Sequence, residues 1–332
     1  MTKRSVTLLV LVVVAVVAAV GQLSGNQPER DAVAAAEREL GIELESRRVD
    51  VGEVTLHVVS AGPADGPLVV LLHGFPEFWY AWRGPLAALA TAGFRVAVPD
   101  QRGYDLSDKP SGIDAYRVER LAADVAGLVH ALGRESAFLA AHDWGGGVAW
   151  RVVIDHPERV KKLVIIDTPH PQAGIGFESA EERIDWYRTF IQLPWIPEWT
   201  ARAGNWWLLA KTLRDTSRPG TFPDATLDLF RSAWDRDGAF STMANWYRAN
   251  RAAPPAEPRW RVATPTLVLL APDDAFIPTD LSRRSLLFLE QGGALELETG
   301  THWVIQEQPD EVGRILVDFF SAAPVGPVEE RP

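Results

Sequence analysis

The sequence predicts an α/β protein with a mostly parallel sheet, helices on both faces and a helical cap. From Val49 onward, short apolar strands alternate with apolar or amphipathic helices, which is the order typical of a parallel sheet covered by helices. The alternation stops between about residues 170 and 262, and ligands of such sheets bind outside the carboxyl ends of the strands. We therefore predict that this insertion is a cap with an apolar pocket, and that most of its tryptophans form ordinary cap core. It holds eight of the thirteen tryptophans, namely Trp186, Trp195, Trp199, Trp206, Trp207, Trp234, Trp246 and Trp260.

The individual elements follow from local composition. Residues 68–72 are almost entirely apolar, as expected of a strand that is covered on both faces. Further strands are predicted at 54–60, 94–98, 136–141, 162–166, 266–270 and 295–297. Helices are predicted at 85–90, 121–132, 148–154 and 312–320. The α/β domain is thus expected over residues 49–320, preceded by a polar, partly helical spacer at 26–48 and followed by a flexible tail at 321–332.

The first 25 residues differ in kind from the rest. Lys3 and Arg4 precede an apolar run over residues 6–20, with small residues at Ala19 and Gly21. This is the pattern of a signal peptide, and the run is shorter than the ~20 residues that span a bilayer comfortably. An uncleaved N-terminal membrane anchor over residues 6–23 is the alternative. Both interpretations predict a secreted or otherwise extracytoplasmic domain.

Composition excludes several classes of function. The chain has 332 residues, 47% of them hydrophobic, so a large core is expected. Its formal charge is −11, without a basic cluster, so nucleic acid is not an expected partner. The absence of cysteine rules out disulfides and zinc–thiolate sites. The seven histidines show no metal-ligand spacing, and neither a metal nor an organic cofactor is predicted.

The turn at residues 141–146 is the most informative stretch of the chain. A predicted strand and a predicted helix flank Asp143, and two glycines, Gly145 and Gly146, follow closely. A sharp strand-to-helix turn of this kind tolerates only small neighbours and exposes its central side chain above the sheet edge. A carboxylate at that point can attack carbon and form an ester with the protein. The alternative is that Asp143 only caps the N-terminus of the following helix, but N-capping does not require the glycines that follow it.

Partners for this nucleophile follow in the chain order nucleophile, acid, histidine. His302 comes just after the last predicted strand and is the candidate general base. The carboxylate that orients it is expected in residues 271–278, and the spacing to the following proline favours Asp274 over Asp273. Asp167, at the end of an earlier strand, is a less favoured substitute.

A second turn follows the strand at 68–72. Its glycine allows the backbone to approach a substrate closely. The backbone amides of Phe75 and Trp144 are predicted to form an oxyanion hole. The residues expected to line the substrate pocket are His73, Gly74, Pro76 and Trp303.

These motifs together resemble the epoxide hydrolases of the α/β-hydrolase fold, over roughly residues 49–320. The resemblance rests on residues 73–77 with Trp79 and Trp82, on residues 99–104 with 107–110, and on the Asp143 turn. It implies two cap tyrosines that hydrogen-bond the epoxide oxygen. The segment 170–262 contains only Tyr187 and Tyr247, which therefore take that role. The chain departs from the family pattern in two places, Ala141 and Thr301, where glycine is commoner.

The resemblance implies a function as well as a fold. It predicts that a small hydrophobic epoxide and water are converted to a vicinal diol through an ester with Asp143. Haloalkane dehalogenase is the first alternative, since it shares the nucleophile and histidine but does not need paired cap tyrosines. A hydrolase-fold protein that binds a ligand without turnover is the second.

Overall fold

The computed structural model describes residues 32–174, 186–251, 260–322 and 329–330. The predicted signal or anchor segment at 1–25 lies outside these residues. Within the described part of the chain, no helix combines the length and apolar character needed to cross a membrane.

A nine-stranded sheet forms the centre of the fold, in the order β1-β2-β4-β3-β5-β6-β7-β8-β9. β2 is antiparallel to both β1 and β4, and every other pair is parallel. Successive side chains of a strand point to opposite faces, and all five side chains of β3 are buried, so both faces of the sheet are covered there. The strands are β1 Glu45–Asp50, β2 Thr55–Ala61, β3 Leu68–Leu72, β4 Arg95–Pro99, β5 Ala137–His142, β6 Val160–Ile166, β7 Thr266–Leu270, β8 Gly292–Glu296 and β9 Glu329–Glu330.

The helices divide into those that cover the sheet and those inserted between β6 and β7. Around the sheet, α2 packs closely against α11, and α3 packs against α4. The inserted helices are α5 to α8, and α6 is interrupted at residues 203–206, where the backbone leaves helical geometry. The helices are α1 Ala32–Leu40, α2 Arg83–Thr91, α3 Val118–Ala131, α4 Trp144–Asp155, α5 Trp186–Phe190, α6 Ile196–Asp215, α7 Asp224–Trp234, α8 Ala239–Ala249, α9 Thr279–Arg283, α10 Val304–Glu307 and α11 Pro309–Ser321.

The predicted architecture, a mostly parallel sheet with covering helices and a helical cap, is the one observed. Both β3 and β7 have the predicted bounds. The last predicted strand, 295–297, begins instead at Gly292. Its first residues are Gly292, Gly293 and Ala294, which lack the bulky apolar side chains by which a buried strand is recognised. These residues form a strand because they pair with β7, not because of their local composition.

Both ends of the domain extend further than the sequence predicted. The segment assigned to a spacer holds α1, whose Ala36 is fully buried, and most of β1, which pairs along its whole length with β2. The strand β1 is exposed at five of six positions, so it has no apolar pattern to reveal it. In the segment assigned to a flexible tail, Glu329 and Glu330 pair with β8.

The tryptophans of the cap fall into two groups. Trp206, Trp234, Trp246 and Trp260 are buried, as expected of cap core. The other four are 54–73% exposed. The prediction that most of the eight belong to the core is therefore wrong, since only half of them do. These exposed side chains are Trp186, Trp195, Trp199 and Trp207.

Candidate active site

The carboxyl ends of β5, β6 and β7 lie side by side, because these three strands are parallel neighbours. Asp143 follows β5 directly and has φ +50° and ψ −123°, a conformation that costs free energy in any residue with a side chain. The glycines after it are sterically required. A Cβ on Gly145 would lie 2.5 Å from the Leu72 carbonyl oxygen, and one on Gly146 would lie 2.4 Å from Thr168 Oγ1. The turn therefore holds the carboxylate above the sheet edge, as the motif predicts.

His302 and Asp274 lie next to this carboxylate. His302 Nδ1 is 2.7 Å from Asp274 Oδ2, and His302 Nε2 is 3.7 Å from Asp143 Oδ2. Asp274 is itself held by the backbone N–H groups of Phe276 and Ile277, which donate to its Oδ1 at 2.7 and 2.9 Å. The structure thus brings together the three residues in the predicted order. The neighbouring Asp273 is exposed to solvent.

The charges around His302 decide its protonation state. Burial alone lowers the pKa of His302, but the carboxylates of Asp274, Asp143 and Asp167, together with the hydrogen bond to Asp274, raise it to about 10. The resting imidazole therefore carries a proton at neutral pH and forms an ion pair with the nucleophile. Loss of the negative charge on Asp143 would lower the pKa of His302, since one of the carboxylates that stabilise the imidazolium would be gone.

Asp167, the substitute acid of the sequence prediction, is buried at the end of β6. Its Oδ1 accepts a hydrogen bond from the Ala271 N–H at 2.7 Å, and its Oδ2 has no partner among the described residues. Burial, followed by the like charge of Asp274, raises its pKa well above the ordinary aspartate value. Asp167 is therefore harder to ionise than an ordinary aspartate, and Asp274 is the carboxylate that holds the histidine.

One of the two predicted oxyanion-hole amides already contacts the nucleophile. The Phe75 N–H donates to Asp143 Oδ1 at 2.8 Å. Trp144 is the first residue of α4, and the first N–H groups of a helix have no partner within the helix. The Phe75 amide therefore lies at an oxygen of the Asp143 carboxyl group, and the Trp144 N–H, at the start of the helix, is the candidate for the second donor.

The predicted pocket residues separate into two pairs. Pro76 and Trp303 line the cavity in front of Asp143, whereas His73 and Gly74 do not. The His73 side chain is fully buried, and its Nε2 accepts a hydrogen bond from the Gln101 N–H at 3.1 Å. Burial lowers its pKa, so the imidazole is a neutral structural bridge. Gly74 allows a close backbone approach, since a Cβ there would lie 2.5 Å from Asp143 Cβ.

Two tyrosines from the cap face the same cavity as Asp143. Tyr247 on α8 is buried and its ring packs at right angles against those of Phe75 and Trp144. Tyr187 on α5 is partly exposed, and its ring centroid is 5.9 Å from that of Tyr247. Burial raises the pKa of Tyr247 well above 10, as do the nearby Tyr187 and Asp143, so its phenol keeps its proton.

The cavity has a volume of about 290 Å³ and is lined mainly by apolar side chains. Its polar groups gather in two places, around Asp143 and His302 with the two tyrosines, and at Thr212, Asp215 and Thr216. A site of this kind binds a hydrophobic molecule and orients it through a few polar groups.

A second buried network behind the nucleophile was not predicted. Glu77 accepts hydrogen bonds from His142 Nδ1 at 3.1 Å and from Gln306 Nε2 at 2.8 Å. Burial opposes the charge of Glu77, but its partners, His142 foremost, lower its pKa. The His142 ring lies 4.6 Å from that of His302, and its Nε2 has no partner among the described residues. Glu77 and His142 lie in the two motifs at residues 73–77 and 141–146, but only the tertiary structure shows that their side chains are in contact.

Thr301, one of the two departures from the family pattern, is held firmly in place. Its N–H and hydroxyl both donate to the Glu307 carboxylate, at 2.9 and 2.7 Å. The His302–Asp274 contact of 2.7 Å is kept beside it. The threonine therefore anchors the loop that carries the histidine.

Among the described residues, one trio has the composition of a metal site. Ligand atoms of His57, Asp100 and Asp105 lie within 4.8 Å of one another, all buried. His57 Nδ1 is 2.6 Å from Asp100 Oδ2, and Arg236 Nε donates to Asp105 Oδ1 at 3.1 Å. Because protein partners already satisfy these atoms, we assign no metal to the trio.

Comparison with known proteins identifies relatives of this chain. Residues 67–202 match the family model of the α/β hydrolase fold. The chain is 38% identical to an AB hydrolase superfamily protein of Bacillus subtilis strain 168, over 82% of this chain and 96% of the relative. It is 33% identical to epoxide hydrolase 1 of Caenorhabditis elegans, over 83% and 70%. A crystal structure of Bacillus megaterium epoxide hydrolase with an inhibitor superposes with a TM-score of 0.74 at 24% identity, over 83% of this chain and 100% of that one.

Proposed function

The chain belongs to the epoxide hydrolases of the α/β-hydrolase superfamily, and we propose that it opens a hydrophobic epoxide to a vicinal diol with Asp143 as nucleophile. One observation carries the proposal. Asp143 presents one carboxylate oxygen to the Phe75 N–H and the other toward His302, in a cavity that it shares with two cap tyrosines.

In the first step, Asp143 Oδ2 attacks a ring carbon of the epoxide. The ring C–O bond breaks, and the departing oxygen takes a proton from Tyr187 or Tyr247. The pKa of the Tyr247 phenol is raised, so it is a weak acid, but the alkoxide released by ring opening is a stronger base than a phenolate. The product is an ester between Asp143 and the substrate.

In the second step, His302 takes a proton from water, and the resulting hydroxide attacks the ester carbonyl carbon. The oxyanion forms on Oδ1, where the Phe75 N–H already donates, with the Trp144 N–H as the second donor. The acyl C–O bond then breaks, and the diol oxygen takes the proton from His302. Asp143, left as a carboxylic acid, gives its proton to His302, which restores the ion pair of the resting site.

The charge of the nucleophile links the two steps. While Asp143 is ionised, His302 is held as an imidazolium with a pKa of about 10. Ester formation removes that charge and lowers the pKa of His302, which frees the base when step two requires it. The proton that His302 then releases replaces the one that the tyrosine gave to the substrate oxygen.

The experiment that tests this function measures two products from one enzyme. Aryl and alkyl epoxides are compared with haloalkanes of similar size, and diol and halide are both quantified. We expect diol from the epoxides and little halide from the haloalkanes, because halide leaves without a proton and makes no use of the tyrosines. Halide release as the faster reaction would establish the dehalogenase alternative. Failure of both reactions, with no protein-bound ester, would favour the ligand-binding alternative.

The covalent step has its own measurement. In a single turnover in ¹⁸O-labelled water, the hydrolytic water attacks the Asp143 carboxyl carbon, so the label should enter the protein. Peptide mass spectrometry of residues 137–155 detects it. Label found only in the diol would exclude the ester mechanism.

We further propose that residues 1–25 direct the enzyme out of the cytoplasm, as a signal peptide or as an anchor, and that residues 170–262 act as its cap domain. Lys3, Arg4 and the apolar run at 6–20 support the first proposal. N-terminal sequencing and membrane fractionation of the full-length protein test it. Recovery of the protein in the cytosol with Met1 intact would contradict the proposed targeting role of residues 1–25.

A further inference from the structure

The exposed apolar side chains of the molecule are concentrated on one part of the cap. Of the nine large apolar side chains that are exposed in the described part of the chain, six fall within residues 186–207. Four of these lie within seven residues. We call them the tryptophan surface: Leu193 (43% exposed), Trp195 (73%), Ile196 (45%) and Trp199 (54%). Such a group on one side of a protein marks an interaction site.

The helix that carries this surface also forms a wall of the cavity. Pro197 and Ala201 line the cavity and are buried, whereas Trp195 and Trp199, one helical turn apart, point outward. One turn of α6 therefore separates the proposed epoxide site from the tryptophan surface. A hydrophobic substrate held at that surface would need to pass only this helix to enter the cavity.

The surface carries almost no net charge. Residues 193–201 contain one ionisable side chain, Glu198, and its carboxylate accepts a hydrogen bond from Arg248 Nη1 at 2.7 Å. Arg248 also donates to the Leu193 carbonyl at 2.8 Å, which fixes the loop before the helix. In a chain of formal charge −11, this neutral patch is a place where an uncharged or zwitterionic lipid surface meets no electrostatic repulsion.

The start of the described chain lies at the cap as well. Ala34 and Arg38 of α1 share a surface depression with Ala225 and Leu229 of α7. Eleven residues separate the apolar run that ends at Val20 from Ala32, and they reach at most roughly 40 Å when fully extended. If the apolar run enters a bilayer, this short connection holds α1, and the part of the cap that α1 contacts, within that distance of it.

We propose that the tryptophan surface docks onto the headgroup region of a lipid bilayer, so that hydrophobic epoxides dissolved in the membrane reach the cavity directly. Tryptophan is enriched at this interface because its ring is apolar and its N–H is polar. This inference rests on the proposed function for its substrate class, but docking itself is measured independently of activity.

The lack of cysteine in the chain permits a direct test. Two full-length single-cysteine variants, Leu193→Cys and Leu287→Cys, are labelled with an environment-sensitive fluorophore. Leu287 is 65% exposed and lies outside the cap, so it is the matched control. On addition of phosphatidylcholine vesicles, we expect a blue shift at position 193 and none at position 287. Equal shifts at both positions, or none at 193, would overturn the proposal, because the N-terminal segment alone would then account for membrane contact.

A second measurement uses the variant Trp195→Ser/Trp199→Ser, neither of whose positions lines the cavity. Its partitioning into the vesicles should weaken on the order of tenfold, since interfacial binding scales with the apolar area buried. Its kcat/KM for an epoxide dissolved in water should stay at the wild-type value, and only the rate on vesicle-dissolved epoxide should fall. Unchanged partitioning would contradict the proposal. So would a fluorescence shift at position 193 that depends on protein concentration without vesicles, because the surface would then join two copies of the chain. An enzyme that opens no epoxide at all would refute the proposed function but leave the docking result standing.

Discussion

The two halves of the candidate site are built in different ways. The half at the sheet edge, Asp143, His302 and Asp274, is held by backbone. Asp143 is set by a turn in which a Cβ at position 145 or 146 would clash with neighbouring atoms, and Asp274 by two N–H groups of its own loop. These contacts connect residues that are close in sequence or that lie on paired strands.

The half in the cap is held by side-chain packing. Tyr187 lies on a helix of five residues and is partly exposed, and Arg188 Nε donates to its hydroxyl at 3.3 Å. Tyr247 is positioned by ring contacts with Phe75 and Trp144, both of which belong to the sheet half. In the proposed mechanism, the sheet half forms and hydrolyses the ester, while the cap half assists the leaving group. The following predictions separate the two contributions.

Asp143→Ala should have the largest effect. Removal of the nucleophile should lower turnover on the order of 10⁴–10⁶-fold, the loss typical of a central catalytic residue. Steady-state diol formation measures it. Asp273→Ala removes an exposed carboxylate from the loop that follows β7 and should retain wild-type activity. Substantial turnover by the alanine variant at 143 would assign the nucleophile to another residue.

His302→Gln should stop only the second step. Ring opening needs Asp143 and the tyrosines, so the ester should accumulate while turnover falls on the order of 10³–10⁴-fold. Intact mass spectrometry after mixing should show a gain of one substrate mass. A variant that neither turns over nor gains mass would place the histidine in the first step instead.

Tyr187→Phe and Tyr247→Phe test the cap half. Each change removes one hydrogen-bond donor and keeps the ring, so thermal stability should change little and ring opening should slow on the order of tenfold. The double variant should lose roughly 10²–10⁴-fold, the usual contribution of a general acid. Tyr80→Phe is the control, since its hydroxyl binds Glu39 and not the cavity. Near-normal diol formation by the double variant would remove these two residues from the mechanism.

Gly145→Ala and Gly147→Ala form a matched pair in the sheet half. The added Cβ at 145 would lie 2.5 Å from the Leu72 carbonyl oxygen, a backbone atom, so we expect a loss of roughly 1–3 kcal/mol in the free energy of unfolding. At 147 the nearest atom, on Trp144, is 4.0 Å away. Alanine there should raise stability by up to about 1 kcal/mol, the difference between the two residues in a helix. Denaturant melts compare them, and equal effects would show that the turn is less tightly packed than described.

Asp143→Asn tests the electrostatic link between Asp143 and His302, within the sheet half. The wild-type pKa of His302 is raised to about 10, partly by the Asp143 charge. The asparagine keeps the shape and removes the charge, as ester formation does, so the pKa of His302 should fall below that value. In terms of stability, the contribution of a raised histidine pKa is complete below about pH 6.5 and is lost as the pH rises through about 10. In the variant, this contribution to stability should be lost at a lower pH than in the wild type, because the pKa of His302 is lower. NMR titration of the imidazole measures the change, and an unaltered pKa would mean that Asp274 alone sets it.

The sequence supported some parts of this description better than others. The Asp143 turn, His302 and Asp274 all follow strand ends with recognisable apolar runs, so motif and order sufficed to place them together. His73 shows the limit of the same reasoning. It stands in a motif beside the site, but its side chain bridges to the Gln101 backbone beneath the cavity. The direction in which a side chain points depends on contacts with residues that are distant in sequence.

Other features left no local signal at all. The strand β1 has one buried residue in six and is recognisable only by its pairing with β2. Trp206 and Trp207 are neighbours in sequence, yet one is buried and the other is 59% exposed, because the backbone of α6 departs from helical geometry over residues 203–206, which include the first of them. The network of Glu77, His142 and Gln306 joins residues up to 229 positions apart.

The sequence by itself determined the fold class, the nucleophile turn and the order of the triad, because these depend on apolar periodicity and on residues that only a tight turn accepts. Tertiary structure alone decided which tryptophans face solvent, which buried groups have shifted pKa values and how the cap tyrosines meet the nucleophile. Burial and charge at each position are sums over neighbours from many parts of the chain, and such sums exist only once the chain has folded.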